Sequence, residues 1–206
     1  PTSFFSDYGC HVRIAEEAEA LRRRGHRVKI VTYHNGRNWN GLPVERTMRV
    51  PWRAETEVGS SRHKLALDVL LGAKTMLSGL RDRPDVIHAH LHEGALIGYP
   101  LSLLARAPLV FDFQGSLTSE MVDHHFLSRE SPFFAAALKM EELINNLPHA
   151  IIASSRRATR LLQDVYHCKN PNIYLVPDCV NAELFDPARF AAERAALKAR
   201  LGIPAH

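Results

Sequence analysis

The densest run of chemically capable side chains in the sequence is His88-Ala89-His90-Leu91-His92-Glu93. His88 and His90 stand two apart, so on an extended strand both imidazoles leave from one face. The run before them, Pro84-Asp85-Val86-Ile87, ends in β-branched apolar residues. This places the histidines at the carboxyl end of a strand, where open α/β sheets bind ligands. Imidazoles there suit a polar ligand, and alternating histidines on a strand also suit zinc. No third metal ligand is identifiable from its place in the sequence, so contact with a polar ligand is expected and a metal is not. The plainer alternative is a strand-end histidine bonded to backbone.

Two other segments carry potential chemistry. Asp112-Phe113-Gln114-Gly115-Ser116 follows another apolar run; Gln114 both donates and accepts hydrogen bonds, and Gly115 permits a sharp turn. Ser6-Asp7-Tyr8-Gly9-Cys10 leads straight into a helical pattern. A glycine there allows close backbone approach, and the amides and dipole of a helix start attract phosphate. Taken alone, each segment also fits a turn chosen for its geometry. Arg156, Arg157 and Arg160 read first as a solvated helix face, with phosphate or a membrane surface as the lesser use. Glu16, Glu17, Glu19, His124, His125, Glu141 and Glu142 read as loop and helix-surface residues.

The elements that must position these residues alternate along the chain. Helical spacing of Val12, Ala15, Ala18 and Leu21 predicts a helix over residues 10–24, closed by Gly25 with Arg22-Arg23-Arg24 at its negative end. Strands are expected over 27–33 and 44–50, with Asn35-Gly36 and Asn40-Gly41 as loop signals and Pro51 ending the second strand. A helix capped by Ser60 or Ser61 runs through Leu65, Val69, Leu70, Ala73 and Leu77. Then follow a strand over 84–90, a helix over about 93–105, a strand over 108–113, a polar loop and a helix over about 132–146. Strands over 150–153 and 173–176 flank a basic helix over 155–166. This order predicts an α/β fold: a Rossmann-like parallel sheet with helices on both faces. From Pro177 the pattern changes to a proline-punctuated linker and a charged, alanine-rich helix.

Composition narrows the class. The 206 residues are 46% hydrophobic and 23% charged, ordinary for one large globular domain. A net charge of +4 and a pI near 9.2 fit an anionic ligand or an anionic membrane surface. No nucleic-acid-binding motif accompanies that charge. Cys10, Cys168 and Cys179 form no C-x-x-C pair and fit a reducing compartment. The apolar stretch over 94–105 is shorter than the roughly 18–20 residues a membrane span needs and contains Pro100. A cytoplasmic protein is expected, with possible peripheral contact at the inner face of the membrane.

Taken in order, these pieces resemble the N-terminal half of the retaining glycosyltransferases of family 4, the group-1 type with a GT-B fold. The resemblance rests on Gly9-Cys10 in the opening loop and Arg24-Gly25-His26-Arg27-Val28 after the first helix. It continues through Pro84-Asp85-Val86-Ile87-His88-Ala89-His90, the strand from Pro108 to Gly115, and Ala150-Ile151-Ile152-Ala153-Ser154-Ser155. It ends with Leu175-Val176-Pro177-Asp178-Cys179-Val180-Asn181 and Phe185-Asp186-Pro187. Two positions depart from the family pattern: Cys10 stands in place of a glycine, and Gln114 in place of a histidine. An amide can hold a sugar hydroxyl but cannot titrate as a base near neutral pH.

The resemblance implies one half of a GT-B architecture, with residues 1–176 as the acceptor-side N-terminal domain. Residues 177–206 would be the linker and the start of a donor-binding C-terminal domain. The implied activity is transfer of a sugar from a nucleotide-sugar donor to an acceptor hydroxyl with retention, the 206 residues alone being inactive. The donor is a substrate, and no cofactor or metal is implied. By this reading Gln114 and His90 are catalytic, and His88, His92 and Gly115 meet the acceptor. Gly9 and Cys10 meet the donor phosphates. A nicotinamide-dependent oxidoreductase would need G-x-G-x-x-G after its first strand, and Gly9 stands alone in its loop. A non-catalytic carbohydrate- or nucleotide-binding module of the same fold is the remaining alternative.

Overall fold

The computed structural model describes residues 1–39, 41–50, 62–182, 185–188 and 190–204. Asn40, Pro51, Ser60 and Ser61, used above as boundary signals, lie outside the described residues. Among the described residues, all strand pairing is parallel and is divided between two sheets. The smaller sheet pairs β1 (Ile30–Thr32) with β2 (Val44–Arg46). The larger has the order β3 (Ile87–His90), β4 (Leu109–Phe113), β5 (Ala150–Ala153) and β6 (Ile173–Leu175). The strand expected over 27–33 is thus shortened to the three residues that find partners in β2.

Helix α1 (Gly9–Arg23) forms where the apolar spacing places it, burying Ile14, Ala15 and Ala18 against Phe4, Phe5 and Leu42. It ends where Gly25, at φ +88°, takes up the left-handed conformation that closes a helix without steric cost. α2 (Arg62–Asp82) packs on α3 (Leu91–Ala105). The approach is close: a Cβ on Gly79 would lie 2.3 Å from the Leu101 side chain. The buried side of α2 carries Leu67, Leu71 and Ser78, whereas Leu65, Val69 and Leu77 of the expected apolar stripe face outward at 72%, 67% and 73% exposure. The main core lies on the α3 side of the larger sheet, where Ala89, Leu109, Phe111, Phe113, Ile151 and Ala153 meet Ala95, Ile144 and Leu162.

The loop expected after β4 is instead a short helix, α4 (Leu117–Asp123). Its cap is partly long-range. Ser116 Oγ accepts from Ser119 N at 3.0 Å, and Glu141 of α5 (Phe134–Asn145) accepts from the amides of Leu117 and Thr118 at 3.2 and 2.8 Å. A carboxylate at a helix start both satisfies open amides and meets the positive end of the dipole. Glu141 is fully buried, so its assignment to the helix surface is corrected. The basic helix begins as expected: Ser155 Oγ accepts from Ala158 N at 3.1 Å and caps α6 (Arg156–Arg160). It then widens into a π-helical turn over Leu161–Val165. α7 (Ala191–Arg200) closes the chain.

Candidate active site

Parallel register decides what the histidine strand meets. His90 pairs with Asp112 and His88 with Val110 across β3 and β4, so these four residues share the sheet face opposite the main core. On β4 the alternation Leu109, Phe111, Phe113 fills that core, and Asp112 points the other way, toward α1. A carboxylate inside a strand, with no exposure at all, demands partners. It has three. Arg13 of α1 donates to it in bidentate fashion, Nε to Oδ2 and Nη2 to Oδ1, both at 2.8 Å. His90 Nδ1 lies 3.1 Å from Oδ2, and the Gln114 amide donates to the same oxygen at 2.6 Å.

An ionised carboxylate only accepts, so the proton shared with His90 sits on Nδ1 and Nε2 keeps its lone pair. Burial opposes ionisation of Asp112, but hydrogen bonds from His90 and Arg13 outweigh it and hold its pKa well below the usual carboxylate range. Gln114 spends its nitrogen on Asp112, so its carbonyl oxygen is the end left to accept from a ligand hydroxyl.

Arg13 carries Glu17 one helical turn further on, 3.0 Å away, and also pairs with Asp178. Its guanidinium reaches the Val176 carbonyl at 3.4 Å, tying residues 176–178 to α1. Glu17 Oε2 stands 3.8 Å from His88 Nε2 and 3.9 Å from His90 Nε2, and the two rings lie 4.5 Å apart. Burial, with Asp112 nearby, raises the Glu17 carboxyl to about 7. Burial, with His90 beside it, lowers His88 to about 3, and burial also lowers His90. Both imidazoles are therefore neutral near pH 7.

The expected site residues separate into two groups. His88, His90 and Gln114 come together, joined by Arg13, Glu17 and Asp112. The reading of Glu17 as a surface residue is corrected: its side chain is 20% exposed and faces the histidines. The available signal was the i, i+4 pair Arg13–Glu17 on the helix that follows the glycine loop. His92 is not with them. His90 caps α3, Leu91 turns the chain at φ +64°, and His92 enters the helix facing the main core. There it is 3% exposed, edge-on to Phe111 and Phe113, with Nε2 3.5 Å from Glu141 Oε1. The expectation that it meets an acceptor is corrected, because the strand period of two ends at His90. Gly115 follows Gln114 without positive φ, and a Cβ there would touch only the Glu120 carboxylate, at 3.4 Å. Gly9 and Cys10 form the first residues of α1, whose cap Tyr8 gives no side-chain hydrogen bond, while the amides of His11 and Val12 bond the Tyr8 carbonyl.

The sequence matches the Glycosyl transferase 4-like domain over residues 8–179. The chain belongs to that family. Its fold matches one half of the GT-B glycosyltransferases. Sucrose-phosphate synthase from Thermosynechococcus elongatus is similar with a TM-score of 0.70 at 17% identity, over 96% of this chain and 48% of that one. Anabaena HepE, solved in complex with UDP-glucose, is similar with a TM-score of 0.62 at 17% identity, over 98% and 48%. Phytolacca americana UGT2, solved with UDP-2fluoro-glucose and pterostilbene, gives 0.52 at 14% identity, over 86% and 53%. This glycosyltransferase domain spans about half the length of these three proteins. The search of curated proteins found no match.

Proposed function

We propose that this domain is the acceptor-side half of a two-domain enzyme that moves a sugar from a nucleotide-sugar donor to an acceptor hydroxyl with retention. The observation that carries the proposal is the junction of Gln114 and His90 on one buried carboxylate at the carboxyl ends of β3 and β4. Family membership and the UDP-sugar complexes of two structural neighbours support the donor class. Residues 177–206 would begin the linker to a donor-binding C-terminal domain, and the half-length coverage of the neighbours supports that partner.

In this mechanism the Asp112 cluster positions and does not abstract. Asp112 is saturated with donors, Gln114 cannot titrate, and His90 directs its Nδ1 proton at Asp112. Gln114 would accept from the acceptor hydroxyl through its carbonyl oxygen, with His88 and Gly115 at the same edge. The hydroxyl proton would leave with the departing diphosphate oxygen. The Gly9 and Cys10 amides, at the positive end of the 15-residue α1, would steady that diphosphate as charge develops. Loss of one positioning hydrogen bond costs about 1–3 kcal/mol, or roughly ten- to a hundred-fold in rate. Gln114→Ala in the full-length enzyme should lower turnover by that factor with donor affinity unchanged, measured by steady-state kinetics and calorimetry. Unchanged turnover with the fold intact would reduce Gln114 to a turn residue. Absence of any sugar-nucleotide turnover by the full-length protein would favour the non-catalytic binding module.

The outward stripe on α2 supports the peripheral membrane contact. Leu65, Val69 and Leu77 recur at intervals of four and eight on the solvent side; of the basic residues near them, Lys74 pairs with Glu45 and Arg81 with Glu45 and Asp82, and Arg83 follows the helix end. Among the described residues no helix is long and apolar enough to cross a membrane. An exposed apolar helix face suits a bilayer surface. Cosedimentation with vesicles containing anionic lipid should fall several-fold in Leu65→Ser/Leu77→Ser; equal pelleting of the double variant removes this contact.

A further inference from the structure

We propose that Glu17, His88 and His90 form a binding site for one divalent transition-metal cation of the zinc class. The inference stands on their geometry and does not need the glycosyl-transfer reading. Each side chain offers one ligand atom, and the three atoms lie within 4.8 Å of one another. Glu17 Oε2 is 3.8 and 3.9 Å from the two Nε2 atoms. Around a tetrahedral zinc with bonds of about 2.0–2.1 Å, ligand atoms stand roughly 3.3–3.5 Å apart. The two edges from Glu17 are therefore within about half an ångström of that spacing, and the edge between the two imidazoles, at most 4.8 Å, closes by side-chain rotation.

The polar atoms of this cluster lack other employment. Both Glu17 carboxylate oxygens and His88 Nε2 are buried and accept or donate no hydrogen bond; Arg13 lies beside Glu17 as an ion pair only. Buried polar atoms left so are costly, and coordination would satisfy Glu17 Oε2 and His88 Nε2, while Oε1 keeps its ion pair with Arg13. His90 completes the argument through its other nitrogen. Asp112 holds His90 Nδ1 at 3.1 Å, so Nε2 keeps its lone pair and faces Glu17. A carboxylate behind a ligating imidazole is the usual means by which proteins fix a metal-binding histidine. Asp112 is itself locked by Arg13 and Gln114, so the ligand is held from a rigid strand.

Charge and ligand type select the ion. Three carboxylates, Glu17, Asp112 and Asp178, surround the single guanidinium of Arg13, and a divalent cation would balance them. Two imidazoles with one carboxylate suit zinc and its neighbours and poorly suit calcium or magnesium, which take oxygen shells. Three protein ligands leave a fourth position for water or a ligand hydroxyl, and the three side chains are still 20%, 24% and 14% exposed. The sequence withheld this site because Glu17 and His88 are 71 positions apart and meet only when α1 lies across β3.

Chelator-treated protein titrated with zinc, and with cobalt(II) as a coloured probe, tests the assignment. The expected result is one ion per chain, visible cobalt absorption without an intense thiolate charge-transfer band, and a thermal midpoint that zinc raises. Glu17→Gln, which keeps the shape, and His88→Asn should each weaken binding at least tenfold and abolish the zinc-induced rise in midpoint. Circular dichroism of the metal-free variants establishes that both are folded. Affinity unchanged in both variants, a thiolate band from Cys10, Cys168 or Cys179, or no binding to the folded wild-type protein at micromolar zinc would each overturn the proposal.

Discussion

The two faces of the larger sheet use the same residue types for opposite ends. On the α1 side, His90 meets Asp112, with Arg13, Gln114, Glu17 and His88 around them. On the α3 side, His92 meets Glu141, with Ser116, Thr118 and Asn145 close by. Both carboxylates are fully buried. Glu141 is enclosed by the core and occupied with the amides of α4 and the Ser116 hydroxyl, so it holds a helix end in place. Asp112 instead organises side chains that still have unspent atoms: the Gln114 carbonyl oxygen, the Nε2 atoms of His88 and His90, and Glu17. Burial does not separate structural from functional carboxylates here. Unspent atoms do not separate them either, since His92 Nε2, Thr118 Oγ1 and the Asn145 amide also lack hydrogen-bond partners; access does, with the Glu17, His88 and His90 side chains 20%, 24% and 14% exposed and that of His92 only 4%.

Removing Glu141 should have the largest effect. Glu141→Ala leaves two helix-start amides and the Ser116 hydroxyl without their acceptor and opens a cavity beside His92. The expected loss is about 3–5 kcal/mol, read from denaturant unfolding. A loss below about 1 kcal/mol would erase the contrast between a closed structural face and an open functional one.

His11 provides a reference buried in α1 with no carboxylate partner. It is fully buried, accepts from Ser6 N at 2.9 Å through Nδ1, and bonds Thr2 Oγ1 through Nε2. Burial lowers its pKa to about 4. The folded pKa lies below the unfolded value near 6.5, so its contribution is whole above pH 6.5 and is lost as pH falls through 4. That loss amounts to about 3 kcal/mol at most. Unfolding free energies measured from pH 7 to pH 4 should show this decline in the wild type and a shallower one in His11→Gln. Parallel curves for the two proteins would place the acid sensitivity elsewhere.

The smallest effect on stability belongs to Gln114. Its one hydrogen bond to a carboxylate that keeps its Arg13 and His90 partners is worth about 1 kcal/mol. Gln114→Ala should therefore shift calorimetric stability little while lowering turnover, the reverse of Glu141→Ala. Equal stability losses in the two variants would mean that both faces serve the fold alone.

The element order and the parallel α/β class were legible because apolar periodicity is local: residues three, four or two apart report the helix or strand they occupy. The end of α1 was legible for the same reason, since Gly25 acts on its own φ. So was the pairing of His88 with His90 on one face, a direct consequence of strand period two. The sequence could not say where that period stops, and His92 was lost to the core by the turn at Leu91. It could not say that α4 would form, because half of its cap comes from Glu141, more than twenty residues away. It read α2 correctly as a helix, but the direction of its stripe depended on which side α3 would cover. The site itself was a tertiary decision. Arg13, Glu17, His88, His90, Asp112 and Gln114 come from one helix and the ends of two strands. Parallel register and the crossing of α1 over β3 and β4 bring them together, and neither leaves a trace in local spacing.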